Sequence, residues 1–191
     1  FTDPEHLYHN NGDGTFTDVL EQAMPYTSWS SMGADCADLN NDGLLDLFVA
    51  DMAATSHYKS KVTMGDMGDR RWFLENAWPR QIMRNNLFLN TGTARFMETA
   101  FLCGLAGTDW TWAIKLADLD NDSRVDVFIT NGASRMITDA DITVTPQMLV
   151  GKTEWELWKE QPTMKEVNLA YRNRGDLQFE KTAKPWGLDH E

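Results

Sequence analysis

Several features are scarce in this sequence of 191 residues. Its two cysteines, Cys36 and Cys103, are too few for a disulfide framework, and we expect a pair of small buried thiols rather than a bridge. No run of 18 or more apolar residues occurs, so no segment is predicted to span a membrane as a helix. The 17 basic residues are outnumbered by 29 acidic ones, and the net charge of −12 argues against nucleic acid or an anionic membrane surface as the partner.

Two acidic phrases in the sequence repeat each other. "DLNNDGLLDLFVAD" starts at Asp38 and "DLDNDSRVDVFITN" starts at Asp118, and each runs into a short apolar stretch typical of a buried strand. A different phrase occurs three times, starting at Leu7, Leu87 and Ala170, with an asparagine and a turn before an aromatic residue. That second pattern is typical of a β-hairpin.

The alternation of these phrases predicts an all-β chain, a segment of about two and a half four-stranded blades of a β-propeller with short helical insertions. Residues 1–30 are assigned to a half blade, the second hairpin of a preceding blade. Residues 31–111 form a blade with an insertion at 52–85, and residues 112–191 form another with an insertion at 132–167. The prolines predict helices near residues 69–78 and from about 146 to 160.

A ring of blades cannot be closed by this much sequence. Each blade buries its faces only against its neighbours, so an open segment leaves apolar sheet faces exposed. We therefore expect the remaining blades of a longer chain, or other copies of this chain, to complete the ring.

The spacing of the acidic phrase predicts a metal site. Oxygen-bearing side chains stand at positions 1, 3, 5 and 9, and a backbone carbonyl at position 7 would join them. Such hard oxygen donors suit Ca²⁺, and the absence of nearby histidine or cysteine argues against zinc. Two Ca²⁺ sites are predicted, with the ligands Asp38, Asn40, Asp42, Leu44 and Asp46 in the first, and Asp118, Asp120, Asp122, Arg124 and Asp126 in the second.

Neither phrase fits an EF-hand or a dockerin-like loop. Both need an acidic residue at position 12, where this sequence has Val49 and Ile129, and an EF-hand is followed by a helix rather than a strand. The second phrase replaces Gly43 with Ser123. If that position requires a positive φ, serine costs about 1 kcal/mol, and we expect the second site to be weaker or more distorted.

Four segments resemble the FG-GAP/VCBS repeats of integrin-α-like β-propellers, in particular the CRTAC/UnbV-like branch. They are "LYHNNGDGTFTDV", "ADLNNDGLLDLFVADM", "TDWTWAIKLADLDNDSRVDVFITNG" and "YRNRGDLQFEKTAKPWGL". The resemblance implies calcium between the first two strands of each blade and a role in adhesion or recognition. It also implies a location outside the cytosol, in the extracellular space, the periplasm or at the cell surface.

Three functions remain open from the sequence. The favoured one is a calcium-binding propeller segment of an exported recognition or adhesion protein, whose ligand is an extracellular protein or a glycan. The alternative is the propeller portion of an enzyme acting on polysaccharide, with purely structural calcium, and the third is an assembly unit joined through open blade edges. No catalytic constellation stands out, and an enzyme would have to use residues beside the first insertion, namely Asp51, Asp66, Asp69, Glu75 or Arg80.

Overall fold

The computed structural model describes residues 5–64, 76, 78–136 and 144–191. This part of the chain is mostly β, as the sequence predicts. The helix predicted near residues 69–78 lies almost entirely outside the described residues. Within the described ranges, no helix is both long enough and apolar enough to cross a membrane.

The strands and helices of the described residues are named in chain order, and a short 3-10 helix at Pro146–Leu149 is left unnumbered. They are β1 (Tyr8–Asn10), β2 (Phe16–Asp18), α1 (Leu20–Ala23), β3 (Tyr26–Ser28), β4 (Gly33–Ala37), β5 (Asp46–Ala50), β6 (Met52–Ala53), α2 (His57–Met64), β7 (Arg80–Ile82), β8 (Asn86–Asn90), β9 (Phe96–Glu98), β10 (Asp109–Ala117), β11 (Asp126–Asn131), α3 (Glu154–Trp158), β12 (Leu169–Asn173) and β13 (Phe179–Lys181).

Two antiparallel sheets carry the repeat. The first has the strand order β4-β5-β8-β9, and the second has the order β10-β11-β12-β13 with β6 added beside β10. Each acidic phrase forms the loop between the first two strands of its sheet, since Ala37 pairs with Asp46 and Ala117 with Asp126. Each asparagine–glycine phrase forms a hairpin, β1–β2, β8–β9 or β12–β13. Sequence repeat and structural repeat therefore coincide.

The two sheets meet at their first strands, β4 and β10. A Cβ atom on Gly33 would lie 2.9 Å from the backbone oxygen of Trp112, so this close approach requires glycine. Asp35 joins the same strands, because its Oδ2 accepts from the Leu116 N–H at 2.9 Å and from Lys115 Nζ at 2.8 Å. β10 begins at Asp109, inside the range assigned to the preceding blade, because its first residues pair with β6.

One apolar core fills the space where the sheets pack, and a second lies on the other side of the first sheet. The first core draws on both sheets and includes Phe48, Leu87, Leu116, Val127 and Ile129, all almost fully buried. The second contains residues of α1 together with Val49 and Phe88. The first sheet is thus covered on both faces, which explains why β5 reads as a continuous apolar run.

The second insertion differs from the prediction of one helix over about 146–160. The 3-10 helix ends at Leu149, Val150 is extended, and Gly151 follows in the left-handed conformation at φ 70°. Helix α3 then starts afresh after Thr153, whose side chain accepts from the Glu156 N–H while Glu156 reaches back to the Thr153 N–H. Such a capping box starts a new helix, so the single helix was a wrong prediction.

The two cysteines are separate free thiols. Cys103 is buried, as expected, and burial raises the pKa of its thiol. Cys36 is exposed on β4, so the prediction of a buried thiol is wrong at this position.

Candidate metal centre in two acidic loops

The loop between β4 and β5 is closed by its own side chains. The two oxygens of Asp38 accept from the N–H groups of Asp42, at 3.0 Å, and Gly43, at 2.8 Å. Asp42 Oδ1 accepts from the Leu44 N–H at 2.8 Å, and Asn40 Nδ2 donates to Asp42 Oδ2 at 2.9 Å. Four of the predicted ligands of the first site, Asp38, Asn40, Asp42 and Leu44, therefore lie in one tight turn held largely by side-chain to backbone hydrogen bonds.

The loop between β10 and β11 repeats this pattern. Asp118 accepts from the N–H groups of Asp122, at 3.1 Å, and Ser123, at 2.9 Å, and Asp122 Oδ1 accepts from the Arg124 N–H at 3.0 Å. The first and third acidic positions thus have the same backbone partners in both loops. We conclude that the two phrases fold into the same turn.

The aspartate at position 9 of each phrase is fully buried at the start of its strand. Both oxygens of Asp46 and of Asp126 accept backbone N–H donors, one from the loop and one from the third strand of the sheet. The donors are Leu39 at 2.9 Å and Asn90 at 2.9 Å for Asp46, and Leu119 at 3.0 Å and Asn173 at 2.8 Å for Asp126. Burial, followed by repulsion from other loop carboxylates, raises the pKa of both carboxyl groups.

The second loop brings three of its predicted ligands together. Carboxylate oxygens of Asp118, Asp120 and Asp126 lie within 4.8 Å of one another. Asp120 Oδ1 is buried and has no hydrogen-bond partner among the described residues. A hard cation would supply the missing partner, since carboxylate oxygens are the donors that Ca²⁺ prefers.

The fourth carboxylate of the second loop, Asp122, lies outside this group and contacts arginines. Arg172 Nη2 donates to Asp122 Oδ2 at 3.0 Å, and Arg124 Nη1 lies 3.6 Å from the same oxygen. The hydrogen bond from Arg172 lowers the pKa of Asp122. Arg172 Nε also lies 2.6 Å from Asp120 Oδ2, at an angle that is not that of a hydrogen bond.

The two acidic loops lie side by side. Asn41 Nδ2 in the first donates to the Ser123 carbonyl in the second at 3.4 Å. The Asn173 side chain donates to the Leu39 carbonyl of the first loop at 2.8 Å and to the Val125 carbonyl of the second at 3.0 Å. The sites are therefore connected through protein groups.

The glycine position of the phrase has a left-handed backbone in both copies. Gly43 has a φ of 87°, and Ser123 has a φ of 68°. A serine pays a steric cost in this region that glycine avoids. Ser123 therefore has the positive φ on which the expected steric cost of serine depends.

The part of the chain that contains the first acidic loop matches one family model. Residues 3–49 match the family model described as an FG-GAP-like repeat. The matched residues contain the hairpin β1–β2, the first acidic loop and most of β5. The chain matches no curated protein.

Two of the residues considered for an enzyme, Asp51 and Arg80, lie within the described residues. Asp51 is fully buried, and its Oδ2 accepts from the N–H groups of Trp29, at 2.8 Å, and Ser30, at 3.1 Å. Arg80 is exposed on β7. The others, Asp66, Asp69 and Glu75, lie outside the described residues. Asp51 therefore serves as an acceptor for backbone donors.

Sequence reasoning missed two residues at the second loop, Arg172 and Asn173. Both belong to the last hairpin phrase, outside the acidic phrase whose spacing predicts the ligands. The signal was present, because Arg172 stands where the preceding copy has the apolar Leu89. A charged residue where the preceding copy has a buried apolar one indicates a specific partner, although the first copy also has a polar residue there, His9.

Proposed function

We propose that each acidic loop binds one Ca²⁺ ion and that the bound ions stabilise the two sheets. The observation that carries this proposal is the group of three carboxylates in the second loop with the unpartnered Asp120 Oδ1. The ligands would be the side chains of Asp38, Asn40, Asp42 and Asp46, with those of Asp118, Asp120, Asp122 and Asp126, and the carbonyls of Leu44 and Arg124.

The effect of the ion follows from electrostatics. Seven aspartates crowd into positions 1 to 9 of the two phrases, and their repulsion favours opening of the loops. A bound cation neutralises this repulsion and joins the first two strands of each sheet. Because Asp46 and Asp126 also accept from the third strand, the third strand is held at the same point.

We further propose that the chain is a β-propeller segment of an exported protein with a recognition or adhesion role. The FG-GAP-like match and the ordered succession of two similar sheets support the propeller. Extracellular calcium modules bind at roughly 10⁻⁴–10⁻³ M, so such loops would fill outside the cytosol. Binding to glycan arrays or extracellular proteins that is lost on adding a chelator would support the recognition role.

Thermal unfolding of the intact chain in calcium, in magnesium and in chelator tests the metal proposal. A hundredfold excess of calcium over the dissociation constant should stabilise the fold by about 2.7 kcal/mol for one site. Asp120→Ala should reduce this calcium-dependent gain, whereas Asp176→Ala, which removes an exposed acid of the last hairpin, should preserve it. Equal melting temperatures in calcium and in chelator would refute the proposal.

A further inference from the structure

The two sheets differ at one position that faces an acidic loop. Leu89 on β8 and Arg172 on β12 each come directly before the hairpin asparagine of their sheet, and they pair in the same register with Met97 and Glu180. Leu89 is buried in the first sheet. Arg172 instead reaches the acidic loop of the second sheet.

The guanidinium of Arg172 is shared between two predicted ligands of the second loop. It donates from Nη2 to Asp122 Oδ2 at 3.0 Å and places Nε 2.6 Å from Asp120 Oδ2. The three side chains are mostly shielded from water, with exposed fractions of 29%, 17% and 20% for Arg172, Asp120 and Asp122, so screening by solvent is reduced.

The first loop has no comparable cation among the described residues. No lysine, arginine or histidine in those ranges forms an ion pair with Asp38, Asp42 or Asp46. In the first loop, the amide of Asn40 holds Asp42 instead, through a neutral donor at 2.9 Å. The loops therefore share a backbone turn but differ in the charge already present beside it.

We propose that Arg172 is a built-in counter-ion that lowers the calcium affinity of the second loop relative to the first and keeps the second loop folded when calcium is scarce. This inference rests on the proposed calcium binding. A fixed positive charge beside the ligands repels an incoming divalent cation and has already neutralised part of the carboxylate charge. Asp120 Oδ1 has no hydrogen-bond partner within the described ranges, which leaves this oxygen for an ion while the guanidinium remains on Oδ2.

Equilibrium dialysis with radiolabelled calcium tests the proposal on the intact chain. Wild-type protein should show two classes of site, and Arg172→Leu, which introduces the residue of the first sheet, should tighten the weaker class about tenfold or more. Arg172→Gln provides a second variant that keeps a polar side chain. Arg174→Leu is the matched control, because it removes the same charge from an arginine that pairs with Glu180 instead of the loop.

A second readout separates the two roles of the arginine. In chelator, Arg172→Leu and Arg172→Gln should unfold at a lower temperature than Arg174→Leu, and calcium should reduce the difference. The inference would be overturned if the wild type binds calcium but the affinity of the second site is unchanged or weaker in both Arg172 variants. The proposed function would then remain intact. Failure of every protein to bind calcium would overturn both.

Discussion

The side chain of Asn173 donates a hydrogen bond from Nδ2 to the carbonyl of Leu39 at 2.8 Å and so joins the last hairpin to the first acidic loop. Asn173 is almost fully buried, and its backbone N–H donates a hydrogen bond to Asp126 of the second loop. A single residue thus contacts both candidate metal sites. The corresponding Asn90 of the first sheet instead donates to Leu45 in its own loop, at 3.3 Å.

Replacement of Asn173 by alanine should therefore destabilise the fold strongly. The change leaves the carbonyls of Leu39 and Val125 without this donor, which costs about 1–3 kcal/mol each when the group is buried. Urea denaturation in chelator measures the loss. Asn10→Ala changes the exposed residue at the same hairpin position and should cost much less, so equal losses would contradict the bridging role.

The glycine position of each acidic loop has a positive φ, at Gly43 in the first loop and Ser123 in the second. Exchanging glycine and serine at these two positions should change stability in opposite directions. Ser123→Gly removes a side chain at φ 68° and should raise the free energy of unfolding by up to about 1 kcal/mol, whereas Gly43→Ser should lower it by about as much. Chemical denaturation provides both values. Ser134→Gly, at an exposed residue without positive φ, serves as the control and should be neutral or slightly destabilising.

The buried carboxyl group of Asp51 should make the free energy of unfolding depend on pH. Burial raises the pKa of its carboxyl group from 3.8 to about 6, so between these values the folded state binds a proton that the unfolded state has released. Stability should accordingly fall as the pH rises from about 4 to about 6, by at most about 1.4 kcal/mol per pH unit from this group.

Asp51→Asn removes this contribution, together with the part of the rise in the Glu5 pKa that the Asp51 charge causes, and asparagine already stands at the equivalent place in the second sheet, Asn131. Urea denaturation at several pH values should show a shallower slope for the variant than for the wild type. Asp176→Asn should keep the wild-type slope. Parallel curves for Asp51→Asn and wild type would show that Asp51 does not titrate in this window.

Ion pairs of Lys59 link the first insertion to the second sheet. Its ammonium group lies 2.9 Å from Asp109 Oδ2 and 2.9 Å from Glu166 Oε1, and both carboxylates are largely buried. Lys59→Met should cost about 1–2 kcal/mol, a modest value because more than a third of the lysine side chain remains in water. Lys165→Met breaks only the exposed pair with Glu191 and should change stability little; a similar loss in both would argue against the link.

Much of the fold was predictable because the sequence repeats itself. The acidic and hairpin phrases fixed the order of strands in both sheets, since turn residues and apolar runs act locally. The break at Gly151 was not predicted, because a capping box over Thr153–Glu156 competes with continuation of the helix. Pairing of β3 with β7 also escaped prediction, since parallel pairing of distant short strands leaves no local pattern.

The turn that holds the candidate ligands was predictable from the sequence, but the groups that surround it were not. Spacing alone brings Asp118 and Asp120 into one turn, and this turn is present in both loops. Arg172 and Asn173 reach the loop from a strand more than 40 residues further along the chain. Such contacts depend on how the third strand aligns with the second, which spacing within one phrase does not specify.

Diffraction from crystals grown with calcium, recorded so that anomalous scattering locates the ion, tests calcium binding by the two loops directly. Calcium binding by both loops requires an ion in each loop, at about 2.3–2.6 Å from the side-chain oxygens, with Asp120 Oδ1 among the ligands of the second. Both loops ordered as described, with calcium supplied and an ion in neither, would contradict it.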